Sequence, residues 1–146
     1  MLAFEDLPFT RRPDLTPYLI HLTKKSANGS AFENLVNILK TGTIFGSTTE
    51  SGYIKGGDSA ACFMDVPFNA LKYVLDDVNC DPKAPKYEPY GVFFTKQYGY
   101  DEGCRPVLYL SDDEVERIGI PDSELWRVVR FEVNEKGWIS WIHERE

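Results

Sequence analysis

The segment PYLIHLTKK, residues 17–25, sets an imidazole and a hydroxyl, His21 and Thr23, into a run whose Leu19, Ile20 and Leu22 suit a buried strand. His21 is one of only two histidines in the chain. Its ring can donate and accept hydrogen bonds at its two nitrogens and can exchange a proton near neutral pH. The other side chains with usable chemistry are Lys55 and Asp58 in a glycine-rich stretch, Phe93 in GVFFT, Tyr98 and Tyr100 in KQYGYDEGCR, Arg105 at the end of that connector, and Glu144 and Glu146 in the last residues. Together these types supply the hydrogen bonding, ring stacking, anion pairing and carboxylate chemistry of a small-molecule site. Each also has an ordinary structural use. A strand histidine is commonly satisfied by a backbone carbonyl, tyrosines commonly pack, Arg105 could pair with Asp101 or Glu102, and terminal glutamates commonly form a solvated tail.

Several chemistries lack their signatures. There is no Walker glycine-lysine motif, no GxGxxG after a strand, no HExxH and no GxSxG, which removes the usual phosphate, zinc and α/β-hydrolase classes. Cys62, Cys80 and Cys104 are odd in number and widely spaced, with no CxxC pair and few histidines, so no metal is expected and they read as free thiols of a reducing compartment. A Cys/His nucleophile pair is conceivable, but no cysteine sits in a context that would lower its pKa recognisably.

The elements that must position these residues are punctuated locally. Ser30 and Glu33 have capping-box spacing, Phe32, Leu35, Val36 and Leu39 follow at helical spacing, and Gly42 is placed to end the helix. Residues 46–60 contain four glycines and no periodicity, which predicts a functional or mobile loop. Ala60 to Met64 reads as a short strand, and Pro67 opens a helix in which Phe68, Leu71, Val74 and Leu75 share a face. Residues 79–89 carry three prolines and form a loop. Strands are expected at 91–95 and 106–110, with 96–105 a polar and aromatic connector between them. A second capping box, Ser111 with Glu114, starts a helix to about Ile118. Residues 122–132 lean to helix by the three-residue spacing of Glu124, Arg127 and Arg130, although Val129 to Val133 alternate as a strand would, and a strand follows at 138–142.

The resulting picture is one mixed α+β domain over residues 1–146, a small mixed or antiparallel sheet with flanking helices. Its 42% hydrophobic and 27% charged residues are ordinary globular values. A net charge of -7 argues against electrostatic capture of nucleic acid, so a nucleic-acid substrate would have to be held locally. No apolar run approaches a membrane span and no leader is evident, which places the chain in a cytoplasm, away from membranes.

The order of HLT, the helix FENLVNILKTG, a glycine-rich loop and ACFMDVPFNALKYVL resembles the opening of DarT-type ADP-ribosyltransferases. It is more similar still to the AbiGi-like abortive-infection family, in which an H-x-T or H-x-S strand precedes a helix of N-L-x-x-I-L-x-x-G form and a V-P-F or I-P-F segment. YGVFFTKQYGYDEGCRPVLYL is similar to that family's G-x-x-F-x-K strand followed by a P-V-x-Y strand. The likeness runs from about residue 18 to 146. The family continues with E-R-E-W-R where this chain stops at Glu144-Arg145-Glu146, which reads either as a truncation or as a natural short form.

The resemblance implies an ADP-ribosyltransferase-like fold and NAD as substrate, with ADP-ribosyl transfer or NAD hydrolysis in phage defence or a toxin-antitoxin system. It assigns ribose binding to His21, beside which Thr23 could bind a further polar group. Glu146, with Glu144 as the competing choice, would grip the nicotinamide-ribose hydroxyl and help activate the acceptor. By residue type, Phe93, Tyr98 or Tyr100 could stack on nicotinamide, and Lys55 or Arg105 could pair with pyrophosphate. The acceptor implied is a nucleic acid, a protein side chain or water. The alternative is a non-catalytic, antitoxin-like member that binds a nucleotide or a partner protein, for which the acidic charge would suit a basic cognate toxin.

Overall fold

The computed structural model describes residues 15–47, 54–134 and 137–139. Strand β1 (Tyr18–Leu22) pairs antiparallel with β2 (Gly91–Thr95), placing Ile20 opposite Phe93 and His21 opposite Val92. The other edge of β1 is met by Met64, which exchanges both backbone hydrogen bonds with Ile20 at 3.0 and 2.7 Å. The strand expected at Ala60 to Met64 is therefore an extended segment held by two isolated bridges, Met64 to Ile20 and Ala60 to Ser47. Two further strand pairs complete the described sheet structure. β3 (Leu108–Leu110) runs parallel to β4 (Val128–Arg130), and β5 (Glu132–Asn134) pairs antiparallel with β6 (Gly137–Ile139). The expected mixed α+β character holds, with the strands divided among three two-stranded units.

Helix α1 (Ala31–Thr41) forms where local signals demand it. Ser30 Oγ accepts from the Glu33 amide and Glu33 accepts from the Ser30 amide at 2.8 Å, closing the capping box. The Ser30 amide and then the Ser30 hydroxyl, which also donates to the Glu33 carboxylate at 2.9 Å, hold the Glu33 carboxyl below its ordinary value. Gly42 ends the helix at φ 64°, a left-handed conformation that an L side chain would resist. The apolar stripe behaves unexpectedly: Phe32 and Leu39 are 55% and 68% exposed, and Ala31 alone in this helix is buried. Burial is instead concentrated around Ile20, Met64, Val66, Val74 and Tyr87, with Leu22, Ala70, Leu71 and Leu75 packed against them.

Pro67 starts a helical segment as expected, but a short one: a 3-10 turn at Phe68–Ala70 followed by α2 (Leu71–Val74). The polar and aromatic connector 96–105 contains a helix that the sequence reading did not expect, α3 (Lys96–Asp101). Thr95 serves both as the last residue of β2 and as the cap, its hydroxyl accepting from the Tyr98 amide at 3.1 Å. α3 can lie against β1 because Gly99 has no side chain. A Cβ there would sit 2.7 Å from Leu19 Cδ1.

Helix α4 (Asp112–Ile118) carries the second capping box and ends at Gly119. Residues 122–132 correct the helix expectation. Asp122–Arg127 is a 3-10 helix, and the chain then becomes strand, with Val128 fully buried. The three-residue spacing of Glu124 and Arg127 is the repeat of a 3-10 helix, where i and i+3 eclipse, and the two side chains pair at 2.9 Å. The strand expected at 138–142 begins at Gly137 and is described to Ile139; residues 140–142 lie outside the described residues.

Candidate functional site

β1, α1 and the segment after α1 enclose a cleft of about 730 Å³. That volume lies in the range of small-molecule sites, about 300–1,000 Å³. His21 and Thr23 form part of its β1 wall. The face of α1 that meets the cleft carries Asn34, Asn37, Ile38 and Thr41, spaced i, i+3, i+4 and i+7, so the polar side of this helix points inward. Phe45, Ile54 and Trp126 contribute apolar surface, and Cys62 and Met64 line it beside β1.

His21 Nδ1 lies 2.8 Å from the carbonyl oxygen of Cys62. In that bond the carbonyl accepts, so Nδ1 carries a proton. The ring packs 5.5 Å from Phe63, which fixes its plane. Thr23 is buried, and its hydroxyl lies 2.9 Å from the Ala31 carbonyl oxygen and 3.1 Å from that of Tyr90. One hydroxyl proton is thus shared between two backbone acceptors, and the residue fastens the end of β1 to the start of α1. Asn34 adds a second fastening by donating to the Lys24 carbonyl at 2.8 Å and to Ser26 Oγ at 3.1 Å.

The remaining sequence candidates lie elsewhere. Phe93 stands opposite Ile20, on the face of the β1-β2 pair away from His21, and packs edge-on against Tyr18 and Phe68 at 5.3 and 5.2 Å. Tyr98 is separated from His21 by two rings, Phe63 and Phe94, in a chain of centroid spacings of 5.5, 5.9 and 5.5 Å. Tyr100 stacks under the Arg105 guanidinium at 4.1 Å, and Arg105 donates to the carbonyls of Tyr100 and Cys104. Lys55 forms an ion pair with Asp112. None of these five lines the cleft, and Asp58 is an exposed loop residue outside it. Glu144 and Glu146 lie outside the described residues.

Sequence reasoning missed the α1 polar face, Phe45, Trp126 and the lysines at positions 24 and 86. The signal for the first was present: Asn34, Asn37 and Thr41 share the same helical repeat as the apolar stripe that drew attention. Among the described residues no group of three His, Cys, Asp or Glu side chains converges as a metal site would require. Desolvation, and then the carboxylates of Asp76, Asp77 and Glu88, push the Cys80 thiol up, which disfavours its thiolate.

No family model, curated protein or solved structure matches the chain. Among the described residues no helix is long and apolar enough to cross a membrane.

Proposed function

We propose that the protein is an ADP-ribosyltransferase-like NAD-binding protein of a phage-defence or toxin-antitoxin system, transferring ADP-ribose or hydrolysing NAD. The observation that carries this reading is the position of His21: an imidazole oriented by the Cys62 carbonyl on the wall of a cleft large enough for a nucleotide, with the amide of Asn37 on the facing helix. The donors and acceptors suit a ligand rich in hydroxyls, and the likeness of HLT and FENLVNILKTG to AbiGi-like sequences supplies the ribose as the group His21 would hold.

In the proposed reaction the bond from ribose C1′ to nicotinamide breaks, and its electron pair leaves with nicotinamide. Positive charge developing on the ribose is stabilised by a carboxylate, the acceptor oxygen or nitrogen attacks C1′, and the acceptor proton passes to that carboxylate. Glu146, or Glu144 as the alternative, is assigned this role by the resemblance. The resemblance assigns the ribose to His21, and Thr23, whose hydroxyl is committed to backbone carbonyls, acts by holding β1 against α1.

Nicotinamide release from NAD, followed by NMR, tests the reading. Wild-type protein releases nicotinamide, while His21→Ala and Glu146→Gln lose turnover with an unchanged circular dichroism spectrum. Turnover preserved in both variants removes the site assignment, and no NAD binding by the wild-type chain removes the function. A second reading, a non-catalytic partner-binding member of the same fold, is favoured by the exposure of Phe32 and Leu39 on α1, and it is selected if NAD does not bind.

A further inference from the structure

We propose that the cleft wall formed by Val107, Trp126 and Val129 takes an uncharged planar base, the adenine end of a nucleotide, and that Trp126 supplies its stacking face. This deepens the NAD reading and rests on it for the identity of the base.

Val107, Trp126 and Val129 all line the cleft, and they belong to the segments that enter and form the β3-β4 pair, a unit separate from the β1-β2 pair that carries His21. Trp126 is only half-buried. Apolar surface on a concave wall is where the apolar part of a ligand gains most from leaving water, and an indole offers the largest such surface of any side chain.

The neighbours of Trp126 hold it in place. Before it, Leu125 is packed so closely against Gly56, at φ 83°, that a Cβ on that glycine would lie 2.9 Å from the Leu125 Cβ. After it, Arg127 donates to the Pro106 carbonyl through Nε at 3.3 Å and Nη2 at 3.2 Å and pairs with Glu124 at 2.9 Å. Val128 follows, fully buried and paired with Leu108. The backbone that carries the indole is thus ordered by the fold before any ligand arrives, which lowers the entropic cost of binding on it.

The chemistry of this wall distinguishes the two rings of NAD, of which nicotinamide is cationic and adenine neutral. A tryptophan face attracts a cation, but Val107 and Val129 cannot replace the hydration that a cation sheds. A neutral base keeps the contact without that loss. Position agrees with the choice: in the NAD reading His21 holds the nicotinamide ribose at the β1 wall, so the other end of the dinucleotide reaches a wall of another unit. Trp126 thereby does what Phe93, Tyr98 and Tyr100, which lie outside the cleft, are not placed to do.

Calorimetric titration of the full chain with NAD, AMP, ribose 5-phosphate and nicotinamide mononucleotide tests this. AMP and ribose 5-phosphate differ only in the base, and AMP is expected to bind at least about fivefold more tightly, the scale of one base stacked on an aromatic side chain. Trp126→Leu keeps apolar bulk and removes the planar face. It is expected to lose about fivefold or more in affinity for NAD and AMP with ribose 5-phosphate unchanged, and Trp126→Phe to restore most of that loss. A ring-current shift of the Trp126 indole proton on addition of AMP reports the same contact in the wild-type chain, whatever the fold of the leucine variant. AMP binding without that shift, or wild-type affinity for AMP in a folded Trp126→Leu variant, overturns the assignment and, with NAD still bound, leaves the NAD reading standing. Trp126-dependent binding of nicotinamide mononucleotide and not of AMP gives the wall to the charged ring and overturns the adenine assignment. Trp126-dependent binding of AMP without NAD binding supports the base site and overturns the NAD reading. If neither NAD nor AMP binds, the proposal falls.

Discussion

The Thr23 hydroxyl lies 2.9 Å from the carbonyl oxygen of Ala31, the first residue of α1, and so ties the strand that carries His21 to the helix that faces it across the cleft. Removing that hydroxyl while keeping the shape of the side chain isolates the tie. Thr23→Val is expected to cost about 1–3 kcal/mol, the penalty for losing a buried hydrogen bond, whereas Thr23→Ser retains the oxygen and loses little beyond a methyl group. Urea unfolding of the two variants checks this. Equal stability of the valine variant and the wild type would show that the hydroxyl does no structural work.

The base of the glycine-rich loop makes a sharper steric demand. A Cβ on Gly46 would lie 2.7 Å from the backbone nitrogen and carbonyl carbon of Ala60, where the Ser47-Ala60 bridge closes the loop. Backbone cannot move aside as a flexible side chain would. Gly46→Ala is expected to destabilise the fold by about 1–3 kcal/mol, as overpacking does, and to weaken ligand binding through the displaced Ser47 wall. Gly57→Ala, with open space around its Cβ, serves as the control and leaves the denaturation midpoint unchanged.

Phe45 is 86% exposed and lines the cleft, as does Trp126. An aromatic ring so placed is available to stack on a planar heterocycle. Phe45→Ala is expected to leave stability within about 0.5 kcal/mol and to weaken NAD binding about threefold or more, the scale of one aromatic pairing. Fluorescence titration checks both the affinity and the response of Trp126. An unchanged affinity would remove Phe45 from the site.

The acid limb of stability carries a sign set by the two capping boxes. Glu33 and Glu114 are both held below the ordinary value of 4.5, first by the backbone and then by the side-chain hydrogen bonds of Ser30 and Ser111. A depressed folded-state value means that the contribution is present in full above the unfolded value and is lost as pH falls through the folded one. Melting temperature should therefore fall with acidification through that window. Glu33→Gln with Glu114→Gln retains capping acceptors and removes the titration, so its melting curve should be flatter over the same pH range. An equal acid dependence in the double variant would place the linkage in other carboxylates.

The locally encoded parts of this molecule were legible in its sequence. Ser30, Glu33 and Gly42 bracket α1, and Ser111, Glu114 and Gly119 bracket α4, because a cap needs only residues a few positions apart. What depended on distant neighbours was not. α3 requires Gly99 to meet Leu19, and the end of the 122–127 turn requires Val128, the first residue of β4, to pair with Leu108 of β3, neither of which a short window contains. The same division runs through the site. His21 and Thr23 reach the cleft, but Phe93 is carried to the far face by the pleat, and Lys55 and Arg105 are taken by Asp112 and Tyr100. The assignments to Glu144 and Glu146 lie outside the described residues.

The exposure of Phe32 and Leu39 has a bearing on motion. α1 is fixed by its two caps and by the Thr23 and Asn34 fastenings near its first turns, with Ala31 as its one buried residue. A helix held this way opens at a lower free energy than strands sealed in apolar contact, and it opens first at the end remote from its fastenings. Amide exchange at Lys40 and Thr41 should therefore outpace exchange at Ile20. On that ordering the two walls of the cleft differ in opening free energy, the β1 wall holding longest and the far end of α1 giving way first.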